Sequence, residues 1–166
     1  MQAKEELLLL PWNLALRLTY CQWIWTICLF QGAHDSVPDY YVRMEFLATT
    51  IIPASVSDLQ RRLTIGELPR WCASIEKVLR DEKTSGEIYS VWGVFETNRE
   101  ELRNGVRFSL SSCPMAMQWT VTTGHQPSPQ HTVIHCTINR TEQDPDFINS
   151  LQQFVEDWKA GLETHW

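Results

Sequence analysis

HQPSPQHTVIHCTI, residues 125–138, packs three of the chain's five histidines and one of its five cysteines into one short stretch. It is either a metal-binding segment or a loop that runs into a strand, and the two readings lead to different folds. From His131 onward the parity is regular. Thr132, Ile134, Cys136 and Ile138 share one face; His131, Val133, His135 and Thr137 share the other. Alternation of this kind marks a strand with one buried face. It predicts Cys136 inward and both histidines outward. On an extended strand, side chains four residues apart are separated by about 13 Å, whereas ligands of one zinc bind it at roughly 2 Å. His131 and His135 therefore cannot chelate one ion from a strand, and no metal or other cofactor is expected.

The neighbouring segments read the same way. In YYVRMEFLAT, residues 40–49, Tyr40, Val42, Met44, Phe46 and Ala48 alternate with polar positions such as Arg43 and Glu45. Leu59, Leu63 and Ile65 suggest a second strand after the turn at Pro53. GELPRWCASIEKVLRD, residues 66–81, changes period: Leu68, Trp71, Cys72, Ile75, Val78 and Leu79 follow three-and-four spacing, which predicts a helix with Pro69 in its first turn. IYSVWGVF, residues 88–95, is apolar on both faces and reads as one central strand, with Trp92 and Phe95 on opposite sides. The polar TNREELRNG, residues 97–105, ends in Asn-Gly, a turn signal. Strands at 106–111 and 115–122 follow. Asp144 and Pro145 then open a helix whose stripe is Phe147, Ile148, Leu151, Phe154, Val155 and Trp158, with Gly161 as its stop. Strands in a run with helices beside them predict an α+β fold: a mostly antiparallel sheet of about six strands with two amphipathic helices on one face.

The N-terminal run LLLLPWNLALRLTYCQWIWTICLF, residues 7–30, stands apart. As a signal peptide it lacks a basic start, because MQAKEE is net acidic. As a membrane helix it carries Arg17 mid-span. We read residues 1–36 as an apolar segment, strand, helix or anchor, and residues 37–166 as a single α+β domain. A membrane role is not expected, although the apolar segment leaves one open. The expected location is the cytoplasm, or the envelope or exterior if residues 7–30 act as a signal or anchor.

The charge, 14 basic against 20 acidic residues, net −6, argues against nucleic-acid binding, which depends on clustered Lys and Arg. It suits a basic protein partner. Catalytic constellations are absent. His34-Asp35-Ser36 puts triad residue types side by side, where they cannot converge on one atom. Glu100-Glu101 and Glu156-Asp157 read as solvated faces. Nothing near Cys113 in sequence would activate its thiol. The eight tryptophans are better leads, since exposed rings favour partner contacts. The candidate contact set is Trp92 with the polar strand positions Arg107, Gln118, Thr120, His131 and His135.

Three stretches, YYVRMEFLAT, GELPRW at 66–71 and FINSLQQFVEDW at 147–158, give the chain from Tyr40 onward a layout that resembles small uncharacterised bacterial α+β domains of the toxin-immunity type. The resemblance implies action by binding, with an acidic surface against a basic toxin domain, and it transfers no functional residue. The first expectation is thus a non-catalytic protein-interaction module, with an immunity-type inhibitor of a basic toxin domain as its specific form. The alternative is a small-ligand-binding protein or small enzyme with a pocket between sheet and helices.

Overall fold

The computed structural model describes residues 43–140 and 144–166, all within the second of two compact units, residues 41–166. The expectations for the apolar run at 7–30, for the boundary at residue 36 and for Tyr40 and Val42 lie outside the described residues. The elements are β1 (Met44–Ile51), α1 (Val56–Arg62), a 3-10 turn (Ile65–Glu67), α2 (Leu68–Trp71), β2 (Ile75–Asp81), β3 (Ser85–Ser90), β4 (Gly93–Leu102), β5 (Gly105–Leu110), β6 (Gln118–Thr123), β7 (His131–Ile138) and α3 (Pro145–His165). Every pairing is antiparallel, in the order β1-β7-β6-β5-β4-β3-β2. The fold is α+β, as expected, and the described residues form seven strands rather than about six and three α-helices rather than two. β2 to β7 form a meander, and β1 returns to pair with β7, so consecutive strands β1 and β2 occupy opposite edges.

Strand parity decides which side chains enter the core. Phe46 and Ala48 on β1, Val106, Phe108 and Leu110 on β5, Trp119 and Val121 on β6, and Ile134, Cys136 and Ile138 on β7 are all buried. Against them α3 lays Leu151, Phe154, Val155, Trp158 and Leu162, also buried. The centre is aromatic: the Trp119 ring stacks on Phe108 at 5.3 Å, meets Phe154 edge-on at 5.1 Å and lies 6.1 Å from Trp158. Such pairs add about 0.5–1.5 kcal/mol each beyond the area they bury. At the far end of α3, the Arg62 guanidinium sits 4.3 Å from the Trp166 ring centre and 5.1 Å from that of Trp71, and donates to the His165 carbonyl over 2.7 Å. That clamp holds the end of α3 to α1 and α2.

Four local expectations are corrected. Residues 56–62 form a helix, not a strand. Ser55 and Asp58 build a capping box, in which the Ser55 hydroxyl accepts from the Asp58 N–H and the Asp58 carboxylate accepts from the Ser55 N–H, and Leu59 and Leu63, four apart, are both buried.

The long helix expected over 66–81 is only α2, four residues, followed by strand β2. Its three-residue apolar spacing has another cause. The register of β2 on β3 slips between Ile75 and Lys77, which sets Ile75 opposite Ser90 and Val78 opposite Ile88. The extra residue lets two side chains three apart face the same way, and this imitates a helical period.

Residues 88–95 are not one central strand. They are a hairpin whose arms pair Ile88 with Phe95 and Tyr89 with Val94, turning at Val91-Trp92. The polar TNREEL is strand β4, because Arg99 points inward to α1, while the Asn104-Gly105 turn forms where expected.

Gly161 does not end α3, which continues to His165. It marks a close approach: a Cβ at Gly161 would overlap the backbone carbonyl of Trp71.

Candidate functional site

Five of the six candidate contact residues share the outer face of the sheet. Register partners Arg107, Thr120 and His135 form a row across β5, β6 and β7. Gln118 lies in the next row, opposite Ser109 and Thr137, and His131 starts β7 opposite Ile51. All five are half-buried. The Arg107 guanidinium donates to the Glu100 carboxylate on the neighbouring strand, its Nε at 3.1 Å. His135 Nε2 lies 3.3 Å from Glu45 Oε2, within ion-pair range for a protonated ring but not aligned as a hydrogen bond. Trp92 is elsewhere. Its ring packs on Phe154 and Phe147 at 5.4 and 6.1 Å, and its Nε1 donates to Ser150 Oγ over 2.8 Å. It is the dock for the first turns of α3.

The metal question is one of geometry. His131 and His135 face outward from an extended β7, Cys136 faces the core, and His125 is within hydrogen-bonding range of Thr122 at 2.9 Å. Among the described residues no three His, Cys, Asp or Glu side chains gather closely enough to hold an ion. Burial pushes the Cys136 thiol up to about 12 and raises that of Cys72 well above the ordinary thiol range, so neither supplies a thiolate at neutral pH.

The interface between the sheet and α3 holds groups that the sequence reading did not single out. The indole N–H groups of Trp119 and Trp158 are buried and no described residue accepts from them; the hydroxyls of Thr97 and Thr132 on the same inner face also have no partner. A buried donor left without an acceptor costs on the order of 1–3 kcal/mol, and native cores contain few of them. At one end of this interface a cleft of about 480 Å³ opens between Thr49, Thr50, Ile51 and His131 of the sheet and Lys159 and Glu163 of α3. Thr50 donates to Glu163 over 2.7 Å, and in register terms Thr50, Thr132 and Thr123 form one cross-strand row leading inward. The helical stripe did place Trp158 in the core, and Trp119 lies on a segment read as a strand. What neither could reveal is that their N–H groups find no partner there, since that depends on which side chains face them across the layers.

No protein-family model and no curated protein matches the chain. Solved structures do. An uncharacterised protein from Bacillus thuringiensis superposes with a TM-score of 0.53 at 12% identity, over 73% of this chain and 97% of that one. The protein XoxI from Bacillus cereus gives 0.53 at 14% identity, over 72% and 93%. At such identities the likeness extends to the fold alone. Among the described residues no helix is long and apolar enough to cross a membrane.

Proposed function

We propose that the protein is a non-catalytic binding protein that holds a small, largely apolar molecule between α3 and the inner face of its sheet. The observation that supports this reading is the pair of indole donors, Trp119 and Trp158, that no described residue accepts from, set in an aromatic interior whose rings lie 5.1–6.1 Å apart. The rings are packed on one another, so a ligand with an aromatic or aliphatic body and a carbonyl oxygen would enter by parting α3 from the sheet, and would then offset the cost of the bare donors. The cleft beside Glu163 and Lys159 opens onto the same layer boundary. Titration of the intrinsic fluorescence with a planar aromatic ketone, flavone, tests the reading. Saturable quenching that weakens about tenfold in Trp119→Phe or Trp158→Phe, the worth of one hydrogen bond of ~1.4 kcal/mol, is the expected result. Equal affinity in the wild type and both variants defeats it.

A second reading is a protein-interaction module, an immunity-type inhibitor of a basic toxin domain. It is favoured by the outer face, which carries Arg107, Thr120 and His135 in one row, Gln118 in the next and His131 at the end of β7, together with the carboxylates of Glu45, Glu87, Glu96 and Glu100 spread across the same face. Glu87 and Glu96 are direct cross-strand partners whose like charge is met on one side by Arg80, opposite Glu87 and 3.9 Å from Glu96, and a basic partner would add to that compensation from the solvent side. Stoichiometric, salt-sensitive capture of a basic toxin domain, lost in Glu87→Lys together with Glu96→Lys, would favour this reading. Salt-insensitive capture, or none, would count against it.

A further inference from the structure

Among the described residues the sheet has two edges, β1 and β2, and they are finished differently. β2 is blunted. Its register with β3 slips twice, between Ile75 and Lys77 and between Val78 and Arg80, and it carries Glu76, Lys77, Arg80 and Asp81. Bulges and charges are the features by which sheet edges avoid pairing with other chains. β1 has no bulge: eight consecutive residues pair with β7 in unbroken register, from Met44 opposite Ile138 to Ile51 opposite His131. Its sole ionisable side chain is Glu45, and it contains no proline. Leu47 and Ile51, on its outer side, are 56% and 68% exposed, and Ile51 is the most exposed large hydrophobic residue among the described ones.

The sequence along this edge is self-complementary. FLATTII, residues 46–52, has matching side-chain types about its central residue, Thr49. We propose that β1 is a homodimerisation edge, along which two copies pair antiparallel with Thr49 on the two-fold axis, so that one sheet runs through both. In this register Leu47 faces the partner's Ile51 on the outer side, and the symmetry makes the contact twice. Phe46 faces the partner's Ile52 on the inner side, and Ala48 faces the partner's Thr50. Glu45 falls opposite the partner's Pro53, so like charges do not meet. Moving the axis one residue, to Ala48, would set Glu45 against Ile51 and Leu47 against Thr49, losing both apolar matches. A two-fold contact requires one patch complementary to itself, and the Thr49-centred edge meets that requirement. Backbone pairing supplies the attraction, and the matched apolar side chains fix the register. The edge shares Thr49, Thr50 and Ile51 with the cleft of the ligand reading, and the two remain distinguishable because one test reads association state and the other flavone affinity.

An edge of eight residues lies at the small end of stable interfaces, so the dimer is expected to depend on concentration. Sedimentation velocity of the full chain, from low to high micromolar concentration, should show a monomer–dimer equilibrium. Leu47→Lys and Ile51→Lys should each weaken it by at least ~10-fold by placing charge on the edge. Tyr89→Lys, at the opposite end of the sheet, should leave it unchanged. Circular dichroism of each variant checks that the fold persists. Should a lysine variant unfold, Thr49→Cys reads the register directly: mild oxidation should link two copies through Cys at 49 much faster than through Glu45→Cys. A chain that stays monomeric throughout overturns the proposal. So does a dimer indifferent to both lysine substitutions, or one in which Glu45→Cys crosslinks as readily as Thr49→Cys.

Discussion

Arg99 donates from Nε to the carbonyl of Leu63 over 2.7 Å, and a second donor of the same guanidinium reaches the Gln60 carbonyl. Both acceptors belong to the C-terminal end of α1, where backbone carbonyls lack helical partners and the helix dipole is negative. One charged side chain on a polar-looking strand thus finishes a helix that lies more than thirty residues earlier in the chain. The Arg99 side chain is only 9% exposed. Arg99→Ala should therefore cost about 2–3 kcal/mol, the range of a charge-assisted bond together with the unpaired acceptors it leaves. Arg99→Lys should recover only part of this, because an ammonium lacks the planar fork. Urea denaturation of both variants measures the difference, and a loss below about 0.5 kcal/mol, the range of an ordinary surface substitution, would contradict it.

Gly161 offers a test in which the sign is diagnostic. At an open helical position, Gly→Ala stabilises by up to about 1 kcal/mol. Here the added methyl group would overlap the Trp71 carbonyl, and that neighbour is backbone that cannot rotate away. Gly161→Ala should destabilise by roughly 1–3 kcal/mol, as overpacking does, and should lower the thermal midpoint. A rise in the midpoint would mean that α3 lies further from α2.

The capping box at the start of α1 predicts a pH dependence. Hydrogen bonds from the Ser55 hydroxyl and the Ser55 N–H, with help from Arg61, hold the Asp58 carboxyl below its ordinary range. A depressed folded pKa means that the carboxylate's stabilising contribution is present above the ordinary Asp pKa and is lost as pH falls through the folded value. Ser55→Ala should cost about 1 kcal/mol near neutral pH, as N-cap removals do. The gap between wild type and variant should narrow in acid as Asp58 protonates. A gap that widens in acid would place the pairing elsewhere.

Thiol reactivity should separate the three described cysteines. Cys72 and Cys136 are buried with raised pKa values, while Cys113 is half-exposed in the loop between β5 and β6. Under native conditions iodoacetamide should modify Cys113 at least ~100-fold faster than Cys136, since reaction at the buried site waits for local opening. Peptide mass analysis over time reads the ratio, and comparable rates would show that β7 opens readily.

The legible parts of this chain were those in which one face of an unbroken element meets the core. Parity alone placed Cys136 inward and His131 and His135 outward, and capping placed the start of α3 at Asp144. Legibility failed where tertiary demands alter the local period. The bulge in β2 made Ile75 and Val78 look helical. The hairpin at Val91-Trp92 joined two half-buried arms into what read as one buried strand. Arg99 hid a strand behind a polar sequence because its partner, the end of α1, is remote. For the candidate site, the outer-face residues were readable from alternation. The unpaired N–H groups of Trp119 and Trp158 were not, because satisfaction of a donor is set by residues across the layers.

The placement of β1 beside β7 also bears on the order of events during synthesis. β1 leaves the ribosome ahead of the meander, and among the described residues its strand partner is β7, so the segment FLATTII must wait for that partner while the rest of the sheet is assembled. A nascent chain stalled before β7 would be the form most exposed to aggregation.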